Sequence, residues 1–260
     1  MPTDKEIKAA KDWLLTRLGA ERGAVSYLGK ILSQCARRIV EISQRYNIPP
    51  NKFRFSANPK LLEEVKAVLK TLRDALFHRT VYTCTFGEEG EERVSEAVNA
   101  EEYGKTFRQR IAEYVSRWGY EVEAVIAAAR LSGIKDANTI VRSIEEYLER
   151  PYDNPLVKEQ QGKGDAIRLR RSFHRGAGRA IAAYAALRLL IRATIAQAYM
   201  EEWSARNADA MGFYVQRGSS FPCEDCDAEC GYLHPMSDDG IVPVHPNCCC
   251  IVIYVRGRTE

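Results

Sequence analysis

Phe213-Tyr214-Val215, then Cys223-Glu224-Asp225-Cys226, then His245-Pro246-Asn247-Cys248-Cys249-Cys250 running directly into Ile251-Val252-Ile253-Tyr254-Val255, decide how this chain is read. The first and last runs are rich in β-branched and aromatic residues, the composition of short strands. Between them lie two Cys/His knuckles. The pattern predicts a small C-terminal β-hairpin knob with cysteine-rich loops. Six of the eight cysteines and two of the four histidines fall in this tail. Such clustering points to a common chemical task.

A Cys-x2-Cys pair brings two sulfurs within reach of one metal ion. His245-x2-Cys248 is a second pair, and eighteen residues separate Cys226 from His245. Two short knuckles joined by a longer loop is the usual layout of a tetrahedral, structural zinc site. The candidate ligands are Cys223, Cys226, His245 and Cys248, with Cys250 able to replace Cys248 and Cys230 a further candidate. Two other readings stay open at this point, a disulfide across the same loop and reduced thiols. Pro222-Cys223-Glu224-Asp225-Cys226 also fits half of a zinc-deaminase signature. That chemistry needs a His-x-Glu general base, and none of His78, His174, His234 or His245 has Glu two residues on.

Upstream, the chain reads as helix. Thr3 with Glu6 three residues later is a capping-box signal for a helix over Thr3–Leu18. Val25, Leu28, Leu32, Cys35, Ile39, Ile42 and Tyr46 recur at three and four, which predicts helix over Arg22–Tyr46 with Cys35 as a core thiol. Asn58-Pro59 is a start signal for a helix carrying Leu61, Leu62, Val65, Val68, Leu69, Leu72 and Leu76. Thr80–Phe86 reads as a short strand or an extended linker. A helix from Val94 or Ala100 to Leu131 is expected, with a break near Gly104 or Gly119. Asp136 or Asn138 caps the next helix, which runs to Arg150. The Pro151–Asp165 stretch reads as a loop. Gly176–Asn207 reads as the longest helix, about 45 Å at 1.5 Å per residue.

Composition sets bounds. A chain of 260 residues with 45% apolar and 28% charged residues can build a core and a hydrated surface. No apolar run reaches membrane-spanning length, so no membrane partner is expected. Met1-Pro2-Thr3-Asp4-Lys5 does not read as a secretory leader, which makes the cytoplasm the expected origin. The net charge of +3 says little, but its distribution says more. From Ala166 to Met200 there is no acidic residue, and Arg168, Arg170, Arg171, Arg175, Arg179, Arg188 and Arg192 are present. The first five are candidate contacts for a partner or for nucleic acid. An acidic protein surface or a solvated helix face would account for them equally.

The order of elements matters as much as the cysteines. Gly162-Lys163-Gly164 and Arg170-Arg171-Ser172 lead into a helix with Arg192-Ala193-Thr194-Ile195-Ala196-Gln197-Ala198-Tyr199 and Trp203. A strand, Cys-x2-Cys, Gly231 and His-Pro-Asn-Cys-x-Cys follow. This resembles the C-terminal domain of the phage Mu F-like minor head proteins, the phage head morphogenesis family, over roughly 138–255. Departures are Cys249 where the family has arginine, Arg192-Ala193-Thr194 where it often has Arg-Thr-Glu, and the additional Cys230. The resemblance implies an N-terminal helical region over 1–135 and a head morphogenesis domain with a Cys/His-rich tail over 136–260. The expected architecture is mainly α, a long-helix bundle with the cysteine-rich hairpin knob. It further implies a non-enzymatic virion protein in the head interior or at the portal vertex, reached from the host cytoplasm during assembly. Its partners would be the portal protein and capsid components, with packaged DNA a further candidate, and multiple copies per virion. It would assist procapsid assembly and DNA packaging or ejection. Any zinc in it would be structural. The alternative is a zinc-ribbon-like nucleic-acid-binding protein. An enzyme finds no phosphate loop, Ser/His/Asp set or nuclease carboxylate cluster in the sequence.

Overall fold

The computed structural model describes residues 1–88, 91–102, 104–164, 167, 172–173, 180–245 and 247–257, with the side chains of 87, 88, 91–94, 172, 173 and 180 left aside. Arg168, Arg170, Arg171, Arg175 and Arg179 therefore lie outside the described residues. The fold is mainly α. Its helices are α1 (Asp4–Gln44), α2 (Pro59–Thr83), α3 (Glu96–Asn99), α4 (Phe107–Leu131), α5 (Ala137–Glu146), α6 (Pro155–Gln160), α7 (Ala183–Ala205) and α8 (Glu224–Ala228). Two short ladders, β1 (Thr85–Glu88) with β2 (Glu91–Val94) and β3 (Ser172–Phe173) with β4 (Ala180–Ile181), sit between helices. The C-terminal sheet contains β5 (Gly212–Gln216), β6 (Leu233–Pro235) and β7 (Ile251–Val255), ordered β6-β5-β7 and antiparallel throughout.

The chain divides into two compact units, both discontinuous in sequence. Unit 1 holds residues 1–25, 79–106 and 189–260; unit 2 holds 26–78 and 107–188. The division expected at 135 falls within unit 2.

In unit 1 both faces of the sheet are covered. Ile251 and Ile253 pack with Ala10 and Leu14 of α1, while Val252 and Tyr254 pack with Phe213, Val215, Met200 and the cysteines. This is why β7 is apolar at every position instead of alternating. Tryptophans tie the layers together. Trp13 donates its indole N–H to the Tyr199 carbonyl at 2.9 Å and stacks on Trp203 at 5.3 Å. Trp203 in turn donates to the Val252 carbonyl at 2.9 Å.

In unit 2, α4 buries Phe107, Ile111, Val115, Trp118, Val122 and Val125. It approaches α2 closely at Gly119, where an added Cβ would stand 2.9 Å from Leu69 Cδ1. Gly119 therefore permits packing and does not break the helix. The break falls at Ala100, which turns extended after α3, and Gly104, with φ +70, lies in the turn that leads to α4. Arg130 reaches the C-terminal end of α1, donating to the carbonyls of Ser43 at 2.5 Å, Ile48 at 3.1 Å and Tyr46 at 3.3 Å, and it stacks on Phe53. A cation satisfying the last carbonyls of a long helix suits both their hydrogen-bonding need and the helix dipole.

Several boundaries differ from the sequence reading. The two N-terminal segments are one 41-residue helix, capped by the expected Thr3–Glu6 box. Gly19 and Gly23 have nothing within 4 Å of an added Cβ, so they mark an open helix face and not a break. Helix α2 continues to Thr83, so the strand begins only at Thr85. Helix α5 stops at Glu146, and α6 occupies part of the expected loop. The longest helix is α1; α7 begins at Ala183, and residues 176–179 of the segment expected to start it are outside the described ones.

The start of α7 is set by α4. Glu121, buried, accepts the Ala183 amide N–H at 3.0 Å. One turn earlier, the buried Arg117 donates to the Ile181 carbonyl at 3.2 Å. Burial raises the Glu121 pKa to about 7, against the lowering effects of the Ala183 amide and Arg117. A carboxyl with a raised folded pKa contributes stability that is complete below its unfolded value near 4.5 and is lost as pH rises toward 7. Glu121→Gln keeps the acceptor without the charge. It is expected to match the wild type at pH 5 and to exceed it by on the order of 2 kcal/mol at pH 8 in denaturant unfolding. Parallel pH profiles for the two proteins would refute this.

Candidate metal centre

The knob is built from two turns that aim soft donors at one place. Cys223 is the N-cap residue of α8, in extended conformation, and Cys226 lies one turn on, closed by Asp227 N–H donating to the Cys223 carbonyl at 2.9 Å. A helical turn starting at the first cysteine turns both sulfurs to one side. The three acids of this turn, Glu224, Asp225 and Asp227, are exposed. Arg217 pairs with Asp227 and also donates to the Cys223 carbonyl at 3.4 Å, fixing the turn to the end of β5. In the second knuckle, Cys248 N–H donates to the His245 carbonyl at 3.0 Å, and Asn247 takes φ +71. Asparagine enters that left-handed region more readily than most residues. Gly218 admits the loop that leads into β7: an added Cβ would stand 1.8 Å from the Cys249 carbonyl oxygen.

His245 Nε2 lies 3.1 Å from the sulfurs of both Cys223 and Cys226. Cys226 Sγ lies 3.9 Å from Cys248 Sγ. The donor atoms form two groups of three, Cys223–Cys226–His245 and Cys226–Cys248–Cys250, each within 4.8 Å of one another and sharing Cys226. Tetrahedral zinc with Zn–S near 2.3 Å and Zn–N near 2.0 Å sets donor atoms about 3.8 Å (S to S) and about 3.5 Å (S to N) apart. The observed spacings are of that size. The expected ligand residues thus fall into two groups that meet at Cys226, and their Cys/His chemistry can hold a metal ion. Cys230 is not among them: its thiol donates to the Cys226 carbonyl at 3.1 Å. All eight cysteines are free thiols.

The electrostatics of the sulfurs follow from their neighbours. Burial pushes the Cys226 thiol up to about 12. Cys248 is drawn down to about 5, because the Cys250 thiol and amide both donate to its sulfur, and Cys250 is raised correspondingly. The Cys226 amide N–H lowers Cys223. Cys35 and Cys84, buried in apolar surroundings, are raised to about 11 and about 12 and lie in neither donor group.

One contributor carries no sequence signal. Arg17, from α1, is buried and donates to the Cys248 carbonyl at 2.5 Å. Its Nε faces Glu21 at 3.3 Å, and Glu21 accepts from Arg192 of α7 at 2.9 Å. Of the acid-free arginine stretch, the described Arg192 and Arg188 are both ion-paired within the chain, Arg188 with Glu149. Beside the sheet, a cavity of about 210 Å³ is lined by Gln197, Glu201, Ser204 and Asp239 among others. Its carboxylates are engaged, Asp239 by Tyr254 at 2.6 Å and Glu201 by the Ala97 amide at 3.3 Å.

No family model, curated protein or solved structure matches this chain. Among the described residues, no helix is long and apolar enough to cross a membrane.

Unit 2 has its own apolar core, so the knob and that unit should respond separately to ligand loss. Cys226→Ser and His245→Ala are expected to weaken metal binding by more than the roughly 10–100-fold that losing an outer partner costs. Amide exchange should quicken over 212–255 while α4 keeps its protection. Loss of protection throughout α4 in both variants would contradict this.

Proposed function

We propose that this chain is a minor head protein of a tailed phage, a structural and interaction component whose C-terminal knob is braced by one zinc ion. The observation that carries the reading is the convergence of Cys223, Cys226 and His245 on one point, with Cys248 adjoining. It makes sense of the Cys-x2-Cys and His-Pro-Asn-Cys-x-Cys elements, whose order after a long helix underlies the family resemblance. Zinc would be held by Cys223, Cys226, His245 and Cys248, with Cys250 as the alternative to Cys248. It supplies cross-linking of two loops too short to bury a core of their own. Four protein ligands leave no position for water or substrate, so the role is structural and the protein acts by binding.

The partner is a protein surface of the portal or capsid. Support comes from the knob's exterior, where Phe221, Tyr232 and Leu233 are exposed beside Glu224, Asp225 and Asp238. Apolar and acidic groups side by side suit a protein contact better than a phosphate backbone. The head interior or portal vertex is the corresponding location, with assembly in the host cytoplasm.

Two measurements test this. The full chain purified without added metal should carry zinc by elemental analysis, and chelation should lower its melting temperature; a metal-free, chelator-indifferent chain removes the zinc. Quantitative mass spectrometry of purified particles of the encoding phage should find a fixed, low copy number that is retained after DNA ejection. Absence from particles removes the virion assignment. Strong DNA binding that falls steeply with salt would instead favour the nucleic-acid reading.

A further inference from the structure

One face of α1 runs along the C-terminal strand and into the ligand loop. Glu6 accepts the Arg256 amide N–H at 3.2 Å, Ala10 and Leu14 pack with Ile253 and Ile251, and Arg17 donates to the Cys248 carbonyl. Leu14 is also close to Gly218, 3.1 Å from the position of an added Cβ, as is the Cys249 backbone. The spacing of Glu6, Ala10, Leu14, Arg17 and Glu21 is that of a single helical stripe. From Arg256 back to Cys248, the partners follow it antiparallel.

Arg17 closes this register. Its relative exposure is 1%, and Glu21 is at 3%. Its Nη2 reaches Cys248 O at 2.5 Å, while Nε and Nη1 have no aligned hydrogen-bond acceptor. A guanidinium this deeply buried needs a fixed counter-charge and acceptor, or its burial is costly. Glu21 supplies the charge and is itself held by Arg192. The acceptor is the peptide of a ligand cysteine. That bond sets the orientation of the Cys248 peptide, which carries the sulfur and lies two residues before Cys250.

We infer that Arg17 is a positioning residue for the metal centre, and that seating of residues 6–21 of α1 and metal binding at the knob are one coupled event. The inference rests on the reading that the cluster holds zinc. Groups that orient ligands from outside the coordination shell typically change metal affinity by about 10–100-fold. Coupling is reciprocal: what the helix does for metal affinity, the metal does for helix seating.

The test uses the full-length reduced chain and zinc alone. Zinc affinity is measured by chelator competition for the wild type, Arg17→Met and Arg17→Lys. Arg17→Met keeps the apolar stem and removes the donors; it is expected to lose about 10–100-fold in zinc affinity. Arg17→Lys restores one donor and should recover part of the loss. Melting temperature is read with and without zinc, and the variant should lose more of the zinc-bound stability than of the zinc-free stability. Equal losses in both states, or wild-type zinc affinity in Arg17→Met, would overturn the inference and leave the zinc reading intact. A wild type that binds no zinc would overturn both. Should Arg17→Met fail to fold, amide exchange of the wild type with and without chelator decides. Faster exchange over residues 7–25 on chelation supports the coupling, and unchanged exchange there rejects it.

Discussion

Two guanidinium groups and one carboxylate, Arg17 and Glu21 buried and Arg192 half-buried, fix how the N-terminal helix, the long C-terminal helix and the cysteine loop meet within unit 1. Arg17 cannot be buried without Glu21, and Glu21 is held in turn by Arg192. The Nη2 of Arg17 donates to the Cys248 carbonyl. Removing Glu21 would leave Arg17 a buried, uncompensated charge, at a cost of about 3–5 kcal/mol. Apolar contacts around it tolerate substitution of similar shape; this network does not. It specifies which turn of α1 faces the loop, and thereby the register of Ala10 and Leu14 against the strand.

The knob then follows from limits on size. A three-stranded sheet of three to five residues per strand has little core, and its loops are long relative to its strands. Covering both faces of β7 supplies part of the missing burial, which α1 and Trp203 provide. Convergent cysteines and a histidine supply the rest of the order, because two loops that carry mutually close soft donors can be closed by one ion. These donors also hydrogen-bond to one another, with Cys248 as acceptor and Cys250 as donor.

Much of the helical layout was legible from local signals, and the misses are instructive. Asn58-Pro59 announced α2 correctly. The identical signal at Asn154-Pro155 starts α6, where Asn154 accepts from the Leu156 and Val157 amides, although the Pro, Asn, Gly and Gln around it read as a loop. Gly19 and Gly119 sit inside helices because one has free space and the other needs closeness to Leu69. Gly104 sits in the turn between α3 and α4 with a left-handed backbone. Sequence shows a glycine in each case and not which of these three reasons placed it there. Strand β6 was missed altogether: Leu233-His234-Pro235 is short and carries proline, which fits an edge strand and gives no periodic pattern.

By itself, the sequence determined the predominance of helix, the two strands that bracket the cysteines, and the clustering of cysteine and histidine in the tail. Those features are local: period, capping and knuckle spacing operate over a few residues. Only the tertiary structure decided that α1 is continuous, that the chain divides into two interleaved units, and that Arg17 reaches a carbonyl 231 residues away. It also decided that Arg188 and Arg192 of the acid-free stretch are neutralised by Glu149 and Glu21. The physical reason is common to all of these. Burial, counter-charge and close approach depend on what lies opposite in space, and a linear pattern records only the residues beside each other along the chain.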